Sequence, residues 1–575
     1  MPFIDADAQD ISGATRIRSD PVDVTIKGMA GLHGTAAAWL PALRELKNLK
    51  RLKLYDCSLI GANMEHIAES LSDTPTLVEL DFSGNKSLAG SGASWSQLQG
   101  LKQLKKLTLD GCGLGVQDVI HIAALPGGIP NLAQCSIDHF FELKRMERGV
   151  RMKLSLLSVT GSDAADILKV VSNCNDLVEV VFQDISGLKD TAAEWSHACH
   201  GLKHLERCEF QNCSLIGADI EHIAASLSDT TTLVELDLSG NKSLAGSGAS
   251  WSQLQGLKQL KKLTLDGCRL GVPDVIRIAA LAGCIPTLAQ CSIYNFFELK
   301  RMERGVKMKL SLLSVTGSDA ADILKVVGNC NYLVEVVFQD ISGLKGTTAE
   351  WSHAFHGLKH LERCKFRSCS LIRADIEHIA ASLSDTPTLV ELDLSGNRSL
   401  GGSHALSHLK CLKHLQALTL RSCSLTLQDM ASLSDLPTLI KLDLSKNASL
   451  AGSGAWSHLK CLKQLKQLVV YSCSLRENDI RHIAASLSCM PNLVELDLSG
   501  NYSLGGSGAW THLKSMKQLK QLILQRCTLS ARDIPHIASL LSDMPNLVKL
   551  DLSINSVDES ETASVQRPNL EILHT

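Results

Sequence analysis

LVELDLSGN, running from Leu233 to Asn241, decides the reading of this chain because it returns. The same nine residues stand at Leu389 to Asn397 and Leu493 to Asn501, and LVELDFSGN stands at Leu77 to Asn85. LIKLDLSKN from Leu439 and LVKLDLSIN from Leu547 are close variants. Between them runs a second type: LKRLKLYDC from Leu49, LKKLTLDGC from Leu104 and Leu260, LQALTLRSC from Leu415, LKQLVVYSC from Leu465 and LKQLILQRC from Leu519. Degenerate copies fill the gaps, among them LERCEFQNC from Leu205, LERCKFRSC from Leu361, LVEVVFQDI from Leu177 and Leu333, and LAQCSI from Leu132 and Leu288. Together they make about 22 units of roughly 26–28 residues. Cys57, Cys213 and Cys369 are 156 residues apart, and 58–213 and 214–369 are nearly identical, so a block of about six units has been duplicated. A chain of 575 residues would ordinarily split into several domains, but self-similarity at a fixed period implies stacked copies of one supersecondary unit.

Each unit opens on alternating apolar residues, such as Leu236 and Leu238 around Asp237, which predicts a short strand with one buried face. A helical stretch follows, such as ADIEHIAASLS from Ala218, with Ile220, Ile223, Ala224 and Leu227 on one side. Parallel strands stack about 4.8 Å apart while helices need about 10 Å, so stacking predicts a curve with strands inside and helices outside. The turn after each strand buries backbone groups that have no strand partner. Asn85, Asn241, Asn397, Asn447, Asn501 and Asn555 are expected to satisfy them, and Cys57, Cys112, Cys213, Cys268, Cys369, Cys423, Cys473 and Cys527 to fill the equivalent slot as weak donors. Triplets such as Asn85-Lys86-Ser87 are therefore read as structural rather than as sugar acceptors. In FFELKRMERGVRMKLSLLSV from Phe140, and its copy from Phe296, the spacing shortens; one strand is expected at 154–159 and one at 310–315.

The L-x-x-L-x-L-x-x-N/C signature, with Asn-type and Cys-type units alternating, resembles the ribonuclease-inhibitor-like leucine-rich repeats, which also form the C-terminal arrays of NOD-like receptors. The resemblance runs from about Pro21 to Leu573. It implies an α/β leucine-rich-repeat solenoid, a curved horseshoe with parallel strands on the concave face and helices on the convex face. Residues 1–20 are expected to be a short N-terminal segment and 21–575 one continuous array. No Gly-x-x-x-x-Gly-Lys-Ser/Thr loop occurs, and the residues before the first repeat are too few for a death-fold adaptor domain. The resemblance is thus to the sensor array of such a receptor, and implies a non-enzymatic protein-recognition module with a role in innate immunity. A ribonuclease-inhibitor-like enzyme inhibitor is the alternative. A Ran-type GTPase-activating protein shares the architecture but usually carries a strongly acidic tail, whereas this chain ends SVDESETASVQRPNLEILHT.

A net charge of −3 gives no electrostatic case for nucleic acid or a membrane surface. No run of 18 apolar residues is present, and the opening MPFIDADAQDISGATRIRSD has acids near Met1 and no apolar core of a signal peptide. The cysteines are expected to be free, which fits a reducing, cytoplasmic setting. His66, His222, His378, His482 and His536 recur once per repeat pair without a second ligand at i+4 and read as helix-face residues. Trp39, Trp95, Trp195, Trp251, Trp351, Trp456 and Trp510 share one register, with Leu406 in the slot once, and read as corner fillers. Lys144 to Arg148 and Lys300 to Arg304 interleave glutamate and read as a solvated linker face. The Gly-Ser-Gly runs at Gly90 to Gly92, Gly246 to Gly248 and Gly452 to Gly454 read as turns. No Cys-x-x-Cys and no hydrolase-type Gly-x-Ser-x-Gly turn is present. No catalytic, cofactor or metal site is expected; the partner is another protein.

That partner should meet the non-leucine strand positions, which face away from the core. Asn-type strands supply Glu-x-Asp-x-Ser sets, such as Glu495, Asp497 and Ser499. Apolar and aromatic side chains break this charged pattern at Val469, Tyr471 and Ile523, with Asp497 between Val469 and Ile523 and with Gln467, Gln521 and Gln525 around them, a composition suited to an interface anchor. A second candidate is the basic strand Arg363, Lys365 and Arg367.

Overall fold

The computed structural model describes residues 22–29, 43–44, 46–188, 202–346, 350–351 and 354–574. They fall in two compact units, 1–294 and 295–575. Among the described residues each unit holds twelve strands, from Asp23–Lys27 to Gln290–Ile293 in the first and from Phe297–Met302 to Glu571–Leu573 in the second. The architecture is an α/β leucine-rich-repeat solenoid.

In the first unit Asp23–Lys27, Arg51–Tyr55, Glu79–Asp81, Lys106–Thr108 and Gln134–Ile137 pair in parallel and in register, so that Leu52, Leu80 and Leu107 form one rung of the core. The leucines on either side of each outward residue are sealed from solvent, as with Leu236 and Leu238. The second unit repeats this from Leu333–Gln339 to Glu571–Leu573, with Leu392, Leu418, Leu442, Leu468, Leu496, Leu522 and Leu550 stacked in order. A parallel ladder of strands only three residues long is held by this side-chain stack, since each rung contributes few hydrogen bonds of its own.

The connections alternate. Cys-type strands lead into α-helices, such as Gly217–Leu227, whose Ile220, Ile223, Ala224 and Leu227 are buried as the sequence predicts. All Asn-type strands but the last lead instead into 3₁₀ segments: Gly92–Gly100, Gly248–Gly256, Ala405–Cys411, Ala455–Cys461 and Ala509–Ser515. The apolar spacing explains the difference. Trp456, Leu459, Leu462 and Leu465 are three apart and all buried. That period stacks side chains on one face at three residues per turn and would drift round an α-helix.

The two irregular segments correct a sequence expectation. Strands run over Gly149–Ser155 and Gly305–Ser311, earlier than 154–159 and 310–315, and each follows a second strand, Phe141–Met146 or Phe297–Met302. Each pair is antiparallel, with Leu143 opposite Met152 and Leu299 opposite Met308. Lys144 to Arg148 is therefore not linker but one arm and the turn of a β-hairpin. Phe141, Leu143, Met152 and Leu154 alternate inward, which fixes the register. Gly149 is required by a close approach: a Cβ there would lie 2.3 Å from the Asp176 carbonyl oxygen, as one at Gly305 would from that of Tyr332.

Candidate functional site

The strand ends are fixed by the asparagines. Asn397 Oδ1 accepts from the backbone N–H of Cys369 (3.0 Å) and Leu371 (3.1 Å), and its Nδ2 donates to the carbonyls of Phe366 and Leu394 (both 2.7 Å). Asn85, Asn241, Asn447, Asn501 and Asn555 repeat the pattern. The cysteine slot is filled as expected: Cys369 Sγ donates to the carbonyls of Phe338 (3.5 Å) and Arg367 (3.4 Å). Burial pushes the thiols of Cys213, Cys369, Cys423, Cys473 and Cys527 up to about 12.

A second structural set escaped the sequence reading. Asp479, buried at the third position of its helix, accepts from the N–H groups of Gly452 (2.8 Å) and Arg476 (2.9 Å) and from Trp456 Nε1 (3.1 Å). Asp118 with Trp95 and Asp274 with Trp251 do the same. Trp95, Trp251 and Trp456 are thus wholly buried corner residues tied to a carboxylate, whereas the equally buried Trp351 and Trp510 have no partner for Nε1. The signal was an aspartate recurring at the third position of successive helices. Trp39 and Trp195 lie outside the described residues. The five recurrent histidines sit exposed or half-exposed on their helices. Among the described residues no group of three His, Cys, Asp or Glu is set to hold a metal ion, and no helix is long and apolar enough to cross a membrane.

With the scaffold held this way, outward side chains fall into columns. In the second unit one column runs Asp393, Thr419, Asp443, Val469, Asp497, Ile523, Asp551, Leu573, strand by strand. Val469 and Ile523 thus share a column with Asp497 between them. The next column carries Gln467 beside Glu495, to whose carboxylate its amide donates (2.8 Å). Gln525 donates to Asp551 (2.7 Å), and its N–H is held by Ser499 Oγ (3.1 Å). All these candidates are half-buried. Burial raises the Asp497 carboxyl above the usual range; Ser499 opposes this, and Asp443 and Asp551 add to it. Tyr471 lies under a cation, with the guanidinium carbon of Arg421 5.5 Å from its ring centre.

The basic strand is occupied internally. Arg363 pairs with Glu335 (3.0 Å) and Glu362 (3.5 Å), Lys365 bridges Glu335 (3.3 Å) and Glu391 (2.9 Å), and Arg367 pairs with Asp393 (2.6 Å). Burial pushes the Glu335 carboxyl up, but Lys365, Arg363 and Lys307 outweigh it and hold it below its ordinary value. In the first unit the counterpart of Lys365 is Glu209, raised by burial and by the negative charges of Asp237 and Glu179.

An open groove of about 750 Å³ in the second unit is lined by Arg367, Arg398 and Arg421 together with Asp340, Glu391, Asp393 and Asp443. Arg398 and Arg421 were not singled out from sequence, although Arg421 occupies the motif position of Arg367, Tyr471 and Gln525, which would have found it.

A stacked ladder with Asn and Cys alternating at most of its turns is a leucine-rich-repeat array. A Leucine Rich repeat family model matches residues 230–250. The chain is 26% identical over 443 residues to the ribonuclease inhibitor of Mus musculus, covering 67% of this chain and 91% of that protein. It is 27% identical over 320 residues to NACHT, LRR and PYD domains-containing protein 14 of Mus musculus, covering 53% of this chain and 23% of that protein. A crystal structure of a TLR13-ssRNA13 complex aligns with 93% of this chain and 79% of its own at 16% identity and a TM-score of 0.36. This is a leucine-rich-repeat interaction protein whose repeats are similar to those of ribonuclease inhibitors and of NACHT, LRR and PYD proteins.

Proposed function

We propose that the chain is a cytoplasmic recognition array of the kind carried by NOD-like receptors, and that it binds another protein through the outward face of its second unit. The carrying observation is the column in which Val469 and Ile523 interrupt Asp443, Asp497 and Asp551, with Tyr471 standing two positions beyond Val469. Charged columns bind water well; apolar and aromatic side chains held half-buried among them give up less on docking and supply the anchors of an interface. Free thiols throughout the described residues fit a reducing compartment. The test is a pull-down with Tyr471→Ala and Ile523→Asp proteins whose thermal unfolding matches the parent. Recovery of the parent's partners should fall sharply, and unchanged recovery would sink this face as the site.

A second reading has its own support. The acids Asp443, Glu495, Asp497 and Asp551 around the apolar anchors suit a basic enzyme, and the matched relative in Mus musculus is named a ribonuclease inhibitor. Adding equimolar protein to a secreted ribonuclease and following RNA cleavage distinguishes the two. Full activity would leave the recognition-array reading and remove the inhibitor.

A further inference from the structure

The groove of the second unit has no counterpart in charge in the first unit's sequence. Two nearly identical blocks differ there: Glu209 is replaced by Lys365 and Gln211 by Arg367. One Cys-type strand further on, the LTLDGC that ends in Cys268 becomes the LTLRSC that ends in Cys423, so Arg421 stands where the first unit has Asp266. All three changes add positive charge on neighbouring Cys-type strands.

The acids that share the groove are already engaged. Glu391 receives Lys365, and Asp393 receives Arg367 and the Ser395 hydroxyl. Asp443 accepts from the N–H and hydroxyl of Ser445, and Asp340 from Gln339 (3.1 Å). Arg398 and Arg421 differ. Both are exposed, and among the described residues neither forms an ion pair. Arg421 is instead held over the Tyr471 ring, which orients its planar fork while leaving its donors open.

Resting on the reading of this face as a protein-binding surface, we propose that the groove lined by Arg367, Arg398 and Arg421 binds an acidic peptide segment, whose carboxylates pair with Arg398 and Arg421. A guanidinium recognises a carboxylate through two parallel N–H···O bonds. Isolated carboxylates along a peptide can reach individual arginines and pass between the acids. A polyphosphate backbone would carry its charge past Asp340, Asp393 and Asp443 and be repelled by them.

The test uses the full chain and fluorescence anisotropy at low salt, with a labelled peptide whose glutamates are spaced by neutral residues, the same peptide with glutamine for glutamate, and a single-stranded RNA of equal length. The glutamate peptide should bind at least tenfold tighter than the glutamine peptide, and Arg398→Gln with Arg421→Gln should abolish that difference. Both arginines are exposed, so the double variant should melt with the parent, and circular dichroism verifies it. Equal binding of both peptides, full binding by the double variant, or binding of RNA in preference to peptide each overturns the proposal. The partner pull-down with Tyr471→Ala and Ile523→Asp is read separately. If partner recovery depends on Tyr471 and Ile523 while the glutamate peptide shows no preference, the acidic segment fails and the docking face stands.

Discussion

At the scale of single residues, the most informative contrast is between Glu335 and Glu209, in adjacent outward columns of the repeat pattern with opposite surroundings. Glu335 is buried and collects Lys307, Arg363 and Lys365. Its folded-state pKa lies below the unfolded one, so its stabilisation is present above the ordinary glutamate range and is lost as pH falls through the folded value. Glu335→Gln should therefore cost about 1.5–3 kcal/mol near pH 7, the range for hydrogen bonds to charged groups, and little at pH 3. Glu209 is displaced upward, so the folded state binds its proton more readily than the unfolded chain, and stability falls as pH rises through that window. Glu209→Gln should raise the urea midpoint at pH 7 and leave it nearly unchanged at pH 3. Two shifts of the same sign at pH 7 would contradict the assignment. The asparagines give a larger effect. Asn397→Ala orphans the buried N–H groups of Cys369 and Leu371, at about 1–3 kcal/mol each, and should cost roughly 2–6 kcal/mol by urea denaturation. This role was legible because Asn and Cys recur in one phase. The Asp118, Asp274 and Asp479 network was not, because an aspartate early in a helix is equally consistent with an ordinary exposed cap.

At the scale of elements, the tryptophan segments test whether the carboxylate contact matters beyond the filled corner. Trp456 donates to Asp479, whereas the equally buried Trp510 has no partner for Nε1. Replacing either by Phe removes similar bulk, but Trp456→Phe also leaves the Asp479 carboxylate one donor short. It should therefore destabilise by about 1.5–3 kcal/mol more than Trp510→Phe, the scale of a hydrogen bond to a charged group. Equal costs would reduce the aspartate to a bystander. Strand positions were readable because period two and the leucine stack agree at Leu236 and Leu238. The 3₁₀ segments were not told from helix because one helical stretch was expected in every unit, although Trp-x-x-Leu-x-x-Leu, at three residues per turn, is a distinct period. The hairpins were missed because FELKRM and GVRMKL were interrupted by charge at Glu147 and Arg148, which form the turn. The apolar break at Val469, Tyr471 and Ile523 was visible in the strings. The groove was not, because it depends on which charges find partners across strands.

At the scale of the whole molecule, the nineteen cysteines report on every repeat at once. All of those described are free thiols, and most are buried among the leucines. Loss of hydration disfavours the thiolate: Cys112 and Cys330 rise to about 12, and Cys135 and Cys291 rise as well. Since the thiolate is the reacting form, burial slows alkylation twice, by denying access and by holding the proton. Among the described residues only Cys284, Cys461 and Cys489 are exposed. Iodoacetamide at pH 8 should therefore label those three first in the native protein. The buried set should follow only as urea exposes it, and a final count in denaturant without reductant should reach nineteen. Mass spectrometry of the labelled peptides reads both phases. A short final count would mean disulfides and an oxidising environment. Early labelling of Cys369 or Cys473 would mean that the turns after these strands open without the array unfolding, and that the asparagine ladder is weaker than its hydrogen bonds imply.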